Sequence, residues 1–305
     1  QDTSLHITTS GLTFPTPIGL AAGYDKNCEI LTGILALGFG YVVGGTVLPD
    51  PHTGNPKPRI IRQIREQALI NSLGFPSKGM QVIKTNLEQT LSETNKHHKP
   101  IVISVTGINL EKFLECHKTI EPLADATELN ISSPNTSGLR VFQELDTFKT
   151  LIEQINLTRT KPMFVKIPPY HDNYQKDKVL GIVRLTRELG VSGITAANTR
   201  PVDAPQLAMG QGGLSGRVLL EDTIRMVKEI RTEIGPSATI NACGGISTTT
   251  DTLRALNAGA NTVQLFTGLI YEGPAIVKNI NLGIAKIIRD KGYNSLTKLI
   301  ASRTI

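Results

Sequence analysis

The chain has 305 residues, of which 39% are hydrophobic and 19% charged, a balance that fits one large or two small globular domains. No apolar run approaches the roughly 18 residues that a membrane span needs, and the first ten residues lack the basic start and apolar stretch of a signal peptide. Cys28, Cys116 and Cys243 lie too far apart for a CxxC metal pair and offer no disulfide framework, so a reducing compartment is expected.

The formal net charge of +6 would suit an anionic partner such as nucleic acid, membrane lipid, phosphate or a carboxylate substrate. Lysine and arginine are scattered, however, and aromatic residues make up only 5% of the chain. Because no basic and aromatic run resembles a base-stacking platform, we expect no nucleic-acid partner. Most of the charges are expected to lie on a solvated surface.

Short runs rich in Val, Ile and Ala alternate along the chain with segments of helical periodicity. The predicted strands are residues 17–23, 41–46, 100–106, 126–132, 163–168, 193–198, 238–244 and 262–267. The predicted helices lie near residues 27–37, 78–95, 109–121, 141–157, 174–189, 219–234, 249–258 and 274–290. Nearly continuous apolar strands that each precede a helix are typical of a parallel sheet covered by helices. Eight such units predict a single-domain α/β fold over residues 1–305, a (β/α)8 TIM barrel rather than an open doubly wound sheet.

Two of the predicted strand-to-helix connections are long, residues 47–77 and 199–218. Both would lie on the face where the carboxyl ends of barrel strands build active sites, which makes them candidate lids. Inert insertions are the alternative.

Polar residues and glycines follow the ends of most predicted strands. They are Lys26, Thr46, Asn130, Ser132, Ser133, Lys166, Asn198, Thr199, Gly244, Gly245, Thr267 and Gly268. In a barrel these positions converge, and a pocket rich in amides and hydroxyls, with two lysines and almost no carboxylates, suits a polar, anionic, planar ligand. The glycines predict a phosphate site, because glycine lets backbone N–H groups approach phosphate oxygens. The alternative is that these glycines only allow tight turns between strand and helix.

Several other chemistries are disfavoured by the same residues. Paired carboxylates for glycoside hydrolysis are missing from the strand ends. The six histidines lack HExxH spacing, so no metal site is expected. There is no GxSxG nucleophile elbow and no P-loop. The GQGGLSG segment at residues 210–216 contains GxG, but no predicted strand leads into it, so a dinucleotide-binding fingerprint is disfavoured.

Eight strings, in this order along the chain, resemble those of dihydroorotate dehydrogenases, the flavin enzymes that oxidise dihydroorotate to orotate in pyrimidine biosynthesis. The strings are GLAAGYDKN, GTVLPDPHTGNPKPR, INSLGF, LNISSPNTSGLR, FVKIPPY, AANTRP, GGLSGR and NACGGIS. The resemblance spans residues 11–295, nearly the whole chain.

The resemblance implies an FMN cofactor and a site for dihydroorotate. The cofactor residues it implies are Ser215, Gly216, Gly244, Gly245, Phe266 and Thr267 around the phosphate, Ala21, Ala22, Gly23 and Thr46 against the ring, and Lys26, Asn130 and Lys166. The implied substrate residues are Lys26, Asn71, Asn130, Asn135, Asn198 and Thr199. Ser133 occupies the position of the catalytic base, so we expect it to remove a proton from C5 of dihydroorotate while hydride leaves C6 for N5 of FMN.

Each of these residues also has a structural interpretation. Ser133 could simply end a strand before Pro134, the lysines could be surface charges, and the asparagines could be turn residues. Their collective placement favours function. Ser104 and Ala197 depart from the family pattern, where Asn and Thr are common, which puts two implied FMN contacts in doubt.

The resemblance mixes two classes of the family. The serine base and the AAGYDK and SSPNTSGLR strings are similar to the membrane-associated, quinone-using class, whose amphipathic helical extension is expected here to be trimmed or absent. VKIPPY and the short amino terminus are similar to soluble relatives that use a cysteine base and reduce fumarate or NAD. We favour a quinone or another non-NAD acceptor, and a cytoplasmic location with the inner-membrane surface as a peripheral alternative. The soluble relatives imply a homodimer by analogy alone, since the sequence does not give the oligomeric state.

Two rival functions remain open from the sequence. A flavin-dependent tRNA dihydrouridine synthase shares the barrel and would explain the basic charge, although its usual cysteine acid and RNA-binding domain are not evident. A non-catalytic FMN-binding or phosphate-binding barrel is the other, since a fold does not determine a function.

Overall fold

Strands and helices alternate through the computed structural model, which describes residues 2–94, 99–133 and 138–302. The strands are β1 (Ile7–Thr9), β2 (Leu12–Phe14), β3 (Ile18–Leu20), β4 (Tyr41–Val47), β5 (Ile60–Gln63), β6 (Ala68–Asn71), β7 (Ile101–Val105), β8 (Ala126–Asn130), β9 (Met163–Lys166), β10 (Gly193–Ala196), β11 (Arg200–Asp203), β12 (Gln211–Gly216), β13 (Thr239–Cys243) and β14 (Thr262–Leu265). The α-helices are α1 (Leu31–Ala36), α2 (Met80–Thr94), α3 (Leu110–Ile120), α4 (Leu145–Asn156), α5 (Asn173–Glu188), α6 (Leu220–Ile234), α7 (Thr249–Asn257), α8 (Thr267–Glu272), α9 (Ile276–Asp290) and α10 (Leu296–Ala301).

Eight of the strands close into one parallel barrel, in the order β3-β4-β7-β8-β9-β10-β13-β14. Seven of the eight predicted strands contain a barrel strand, and the eighth, residues 41–46, ends one residue before the end of β4. The predicted helices correspond to α1 to α7 and α9. The strands are buried almost without interruption, because helices cover the outside of the barrel and side chains fill its inside. The prediction of a single-domain (β/α)8 barrel is confirmed.

The ends of several helices follow the sequence signals for helix capping. The Asn109 side chain accepts a hydrogen bond of 2.9 Å from the backbone N–H of Lys112 at the start of α3. Thr248 and Asp251 form a capping box at the start of α7, which lies directly after the end of β13. These local bonds fix where each helix begins, and therefore the length of the connections on the active-site face of the barrel.

The two long connections are not irregular loops. β5 and β6 in the first pair with β11 and β12 in the second, forming a four-stranded antiparallel sheet in the order β11-β12-β6-β5, which we call the cap sheet. This corrects the expectation of long loops over residues 47–77 and 199–218. The strands were missed because β5 is short and half exposed and β12 is rich in glycine, so both lack the apolar runs of the barrel strands.

The opposite end of the barrel is closed by the β1–β2 hairpin, which the sequence did not predict either. Phe14 from this hairpin packs edge-on against Tyr41 with ring centroids 4.9 Å apart, inside an apolar layer of the barrel interior. Above that layer the interior becomes polar. The polar layer contains Glu128, Thr195, Asn241, Thr262 and Gln264, all fully or almost fully buried.

Arg231 on α6 joins this helix to two connections of the barrel. Its guanidinium donates to the backbone oxygens of Gly259 at 2.8 and 2.9 Å and of Ala238 at 2.8 Å, and to Asn261 Oδ1 at 2.7 Å. We expect Arg231→Met to lower the free energy of unfolding by about 3 kcal/mol, because the carbonyl groups lose charged donors. Urea denaturation of the purified protein measures this change.

Arg184→Met is the matched control for that measurement. The Arg184 side chain is 52% exposed, and its principal partner is Glu233 at 3.0 Å. Such a surface ion pair contributes at most about 1 kcal/mol. Equal losses of stability in the two variants would contradict the role given to Arg231.

Candidate active site

A cavity of about 470 Å³ lies between the carboxyl ends of the barrel strands and the cap sheet. Its volume falls in the range of ~300–1,000 Å³ that is usual for small-molecule sites. The predicted site residues that line it are Ala21, Ala22, Gly23, Lys26, Thr46, Asn71, Asn130, Ser133, Lys166, Asn198, Thr199, Ser215, Gly216, Gly244, Gly245, Phe266 and Thr267. The remaining predicted residue, Asn135, lies outside the described residues. The structure therefore brings together every predicted site residue that it describes.

Glycines shape one end of the cavity. Gly216 and Gly245 have φ angles of +107° and +77°, and a Cβ on either would lie 2.3 Å from a backbone atom, Gln67 O and Leu220 N respectively. Only glycine fits there without moving the chain. The hydroxyl of Thr267 donates to Ser215 Oγ at 2.9 Å, which places two hydroxyls beside the glycines. Close backbone approach together with hydroxyl donors is the chemistry that a phosphate group requires.

Two asparagines are held at the middle of the cavity by a chain of hydrogen bonds. Asn130 Nδ2 donates to Thr46 Oγ1 at 3.0 Å, and Asn130 Oδ1 accepts from the Ser132 hydroxyl at 3.2 Å. Asn198 Nδ2 donates to the same Ser132 oxygen at 3.0 Å. Ser132 thus orients the side chains of both asparagines, although the cavity lining contains only its neighbour, Ser133. Fixed amides can both donate to and accept from a planar ring amide.

The cap sheet supplies the side of the cavity that faces away from the barrel. Asn71 at the end of β6 donates from Nδ2 to the backbone oxygen of Gly213 on β12, at 3.3 Å. Further lining residues that the sequence analysis missed come from this sheet and its flanks, and they include Arg62, Gln67, Leu73, Phe75 and Arg217. The sequence of β5, IIRQ, has no alternation of apolar and polar residues, so no sequence signal pointed to this side of the cavity.

The two lysines of the cavity have different electrostatic surroundings. Lys26 Nζ donates to the backbone oxygen of Gly23. Burial lowers the pKa of Lys26 below its usual range, and the charge of Arg59 lowers it further, with Asp25 acting in the opposite direction. Lys166 is only 6% exposed. Burial would lower the pKa of Lys166 too, but Cys243 and the carboxylate of Glu128 outweigh burial, and the pKa is raised.

The two departures from the family pattern occupy different places. Ser104 is fully buried behind the cavity, where its hydroxyl and that of Thr46 share a hydrogen bond of 3.0 Å. Ser104 therefore supports Thr46, which in turn holds Asn130. Ala197 lines the cavity with a methyl group, so this position offers no hydroxyl to a ligand.

A closed (β/α)8 barrel with a cavity at the carboxyl ends of its strands is the arrangement in which barrel enzymes place their active sites, and the lysines and amides of the lining suit a planar anion. The family model for dihydroorotate dehydrogenase matches residues 4–288. The chain belongs to the dihydroorotate dehydrogenase family, which are flavin-dependent oxidoreductases.

Curated relatives support this assignment over nearly the whole chain. The dihydroorotate dehydrogenase (quinone) of Novosphingobium aromaticivorans is 34% identical over 96% of this chain and 86% of its own length. The protein of the same name from Sulfurimonas denitrificans is 35% identical over 96% of this chain and 83% of its own. The expectation of a dihydroorotate dehydrogenase is confirmed.

Solved structures give the same result for the fold. DHODH from Eimeria tenella in complex with ferulenol superposes with a TM-score of 0.87 at 32% identity, over 96% of this chain and 87% of that one. The ligand-free form superposes with a TM-score of 0.88 at 30% identity, over 96% and 90% of the two chains. The comparisons favour dihydroorotate oxidation over the tRNA dihydrouridine synthase and the non-catalytic barrel.

In the ranges 2–94, 99–133 and 138–302, no helix is both long enough and apolar enough to cross a bilayer.

Proposed function

We propose that this chain binds FMN and oxidises (S)-dihydroorotate to orotate in de novo pyrimidine biosynthesis, with a quinone as electron acceptor. The observation that carries the proposal is a single cavity that joins the glycine and hydroxyl end to the lysines, the asparagines and Ser133. When bound, FMN supplies the hydride acceptor. The substrate loses a proton from C5 and a hydride from C6, and a quinone that takes up two electrons and two protons leaves as a quinol.

The residues divide into a phosphate end and a substrate end. Gly216, Gly245 and the hydroxyls of Ser215 and Thr267 would hold the FMN phosphate, because backbone and hydroxyl groups converge there. Lys166 would face the ring of the flavin from the interior of the barrel. A fixed positive charge in a buried site stabilises negative charge on a ligand more strongly than it would in water.

The substrate end would recognise a flat carboxylate that carries ring amides. Lys26 would pair with the carboxylate in a charge-assisted hydrogen bond. Asn130 and Asn198 would bond the ring amides, since Ser132 already fixes both side chains. Asn71 would complete the site from the cap sheet, with Asn135 and Thr199 as further substrate residues. Rigid placement of these groups lowers the entropy lost in reaching the reactive geometry.

Ser133 would remove the proton from C5. Its side chain lines the cavity and the residue is only 7% exposed, so bulk water has little access to it. A serine hydroxyl is a weak base, so a partner must carry the proton onward. Exclusion of bulk water strengthens every electrostatic interaction around the developing charge.

The assignment of a quinone rests on the relatives, which are named dihydroorotate dehydrogenase (quinone). The test is to purify the chain, record its visible spectrum, add dihydroorotate without oxygen, and then offer quinone, fumarate and NAD separately. We expect a flavin spectrum that bleaches with dihydroorotate and recovers fastest with quinone. A colourless protein would overturn the FMN assignment, and faster recovery with fumarate or NAD would overturn the assignment of quinone.

The lowered pKa of Lys26 predicts a pH dependence of substrate binding. The ammonium form exists below the pKa of the lysine, and this pKa lies below its ordinary value because of burial and Arg59. The KM for dihydroorotate should therefore rise as the pH increases in the alkaline range, earlier than for an exposed lysine, while kcat changes less. Lys26→Met should raise KM by about tenfold or more, since a charged hydrogen bond is lost.

Lys26→Arg is the matched control, because a guanidinium stays charged over this range. Steady-state KM values measured across the alkaline range should then lose their pH dependence. An unchanged alkaline rise of KM in this variant would assign the titration to another group.

A further inference from the structure

One edge of the cap sheet is joined to a helix of the barrel by an ion pair. β11 lies at the edge of this sheet and pairs with β12, where Arg200 is in register with Leu214. Arg200 is the first residue of β11, and its Nη1 lies 3.4 Å from Oδ2 of Asp222 in the first turn of α6. Among the residues that the structure describes, no other ion pair joins a strand of the cap sheet to a barrel helix. This pair therefore links the start of β11 to the barrel.

Two residues of the substrate end directly precede this ion pair in the chain. Asn198 and Thr199 both line the cavity, and Arg200 follows them. The backbone N–H of Thr199 donates to Asn198 Oδ1 at 2.7 Å, and the Thr199 hydroxyl donates to the same oxygen at 3.4 Å. On its other side, Asn198 Nδ2 donates to Ser132 Oγ at 3.0 Å. The orientation of the Asn198 amide therefore depends on where the chain places Thr199, as well as on Ser132.

The Asp222 carboxylate is fixed on the barrel side by further contacts. Arg225 Nη2 lies 3.7 Å from Asp222 Oδ1, and His171 Nδ1 lies 3.7 Å from Asp222 Oδ2. Arg225 also donates to the backbone oxygen of Tyr170 at 2.8 Å, so it is held independently of Asp222. A carboxylate in the first turn of a helix is stabilised by the helix dipole as well. Arg200 is thus the partner through which Asp222 reaches the cap sheet.

We propose that Asp222 is a positioning residue for substrate binding. By holding Arg200 against the barrel, it sets the position of Thr199. Thr199 in turn orients the Asn198 amide towards dihydroorotate. The inference rests on the proposed function, in which Asn198 and Thr199 bind the substrate. Asp222 is not one of the described residues that line the cavity, so it acts through Arg200 and does not touch the substrate.

The loss of this ion pair should lower the affinity for substrate more than the rate of the reaction. Without the pair, the start of β11 would sample more positions, and binding would select the one in which Asn198 is correctly oriented. The affinity cannot fall by more than the pair contributes to holding that arrangement, which is about fivefold for a partly exposed pair. The side chains of Arg200 and Asp222 are 33% and 30% exposed. The rate should change less, because Ser133 lies on a different connection, after β8.

The experiment compares Asp222→Asn with the unmodified holoenzyme by anaerobic stopped-flow reduction of the bound flavin. A series of dihydroorotate concentrations separates the apparent Kd for dihydroorotate from the limiting rate of reduction, without an electron acceptor. We expect the apparent Kd to rise about three- to fivefold, with a change in the limiting rate of less than about twofold. An unchanged Kd would overturn the proposal, and so would a limiting rate that falls as far as the affinity.

Arg200→Met tests whether Asp222 acts through Arg200. This change should raise the apparent Kd by the same factor as Asp222→Asn, and it carries the test alone if Asp222→Asn does not fold. The double variant should bind dihydroorotate no more weakly than either single variant, because both changes remove the same interaction. If the two effects multiplied to about tenfold or more, Asp222 would act through Arg225 or His171, and the proposal would be overturned.

Glu221→Gln is the matched control. Glu221 precedes Asp222 in the same first turn of α6, but its partner is Arg254 at 2.7 Å, which lies on the barrel helix α7 and not on the cap sheet. The apparent Kd for dihydroorotate should not change in this variant. An equal rise would show a general effect of removing a carboxylate from this turn and would overturn the proposal.

The proposed function and the role of Asp222 fail in different ways. An unmodified protein that binds no flavin, or whose flavin is not reduced by dihydroorotate, would overturn the proposed function. A flavin that dihydroorotate reduces with the same apparent Kd in the unmodified protein, Asp222→Asn and Arg200→Met would overturn the role of Asp222 alone.

Discussion

Ser133→Ala is expected to slow the reduction of bound flavin by dihydroorotate at least about a hundredfold, the usual scale of general base catalysis. The variant loses the hydroxyl that would take the C5 proton, while the buried position of residue 133 in the cavity wall is retained. Anaerobic stopped-flow absorbance of the flavin measures the rate directly, without a contribution from the electron acceptor.

Ser132→Ala is the control for that experiment, because it deletes the same hydroxyl from the neighbouring residue. The Ser132 hydroxyl bonds Asn130 and Asn198 rather than facing the cavity, so its loss should raise the KM for dihydroorotate and change the maximal rate less than about tenfold. If Ser133→Ala reduced flavin as fast as the unmodified enzyme, Ser133 would not be the base.

Gly245→Ala is expected to weaken FMN binding by at least about a hundredfold, since two or more charge-assisted hydrogen bonds to phosphate would be lost. A Cβ at this position would lie 2.3 Å from the backbone nitrogen of Leu220. The strand end must therefore move, and the backbone N–H groups would no longer converge on the phosphate. Fluorescence titration of the apoprotein with FMN measures the affinity.

Gly190→Ala is the control variant, because it strains the backbone in the same way as Gly245→Ala but brings no added Cβ against a neighbouring atom. Gly190 has a φ angle of +66°, close to the +77° of Gly245, but a Cβ there would meet no atom within 4 Å. Both variants carry the cost of a left-handed conformation, roughly 1–2 kcal/mol. Only Gly245→Ala should lose FMN, and equal losses of affinity would contradict a phosphate site at Gly245.

The barrel could be predicted because each of its strands carries a local signal. β7 (Ile101–Val105) and β13 (Thr239–Cys243) are short apolar runs between turn residues, and a strand covered on both faces by side chains must have that composition. The helices between them show the 3.6-residue periodicity of one buried face. Convergence of the strand ends then follows from the topology alone.

The cap sheet could not be predicted in the same way. β12 (Gln211–Gly216) owes its place to pairing with β6 (Ala68–Asn71), which lies about 140 residues earlier in the chain. Neither segment has a strong intrinsic preference for a strand, so its structure depends on the other. Asn71 was placed at the site by the family resemblance, whereas its position above the barrel came from this pairing.

The sequence by itself determined the order of the eight barrel strands and the helices between them, the family, and the residue types that meet at the strand ends, because these are local properties and ordered motifs. The tertiary structure decided which side chains act on one another. Ser104 supports Thr46, Ser132 orients Asn130 and Asn198, and Thr195 donates a hydrogen bond to Glu128. Burial and distance in three dimensions set these interactions, and neither quantity can be read from spacing along the chain.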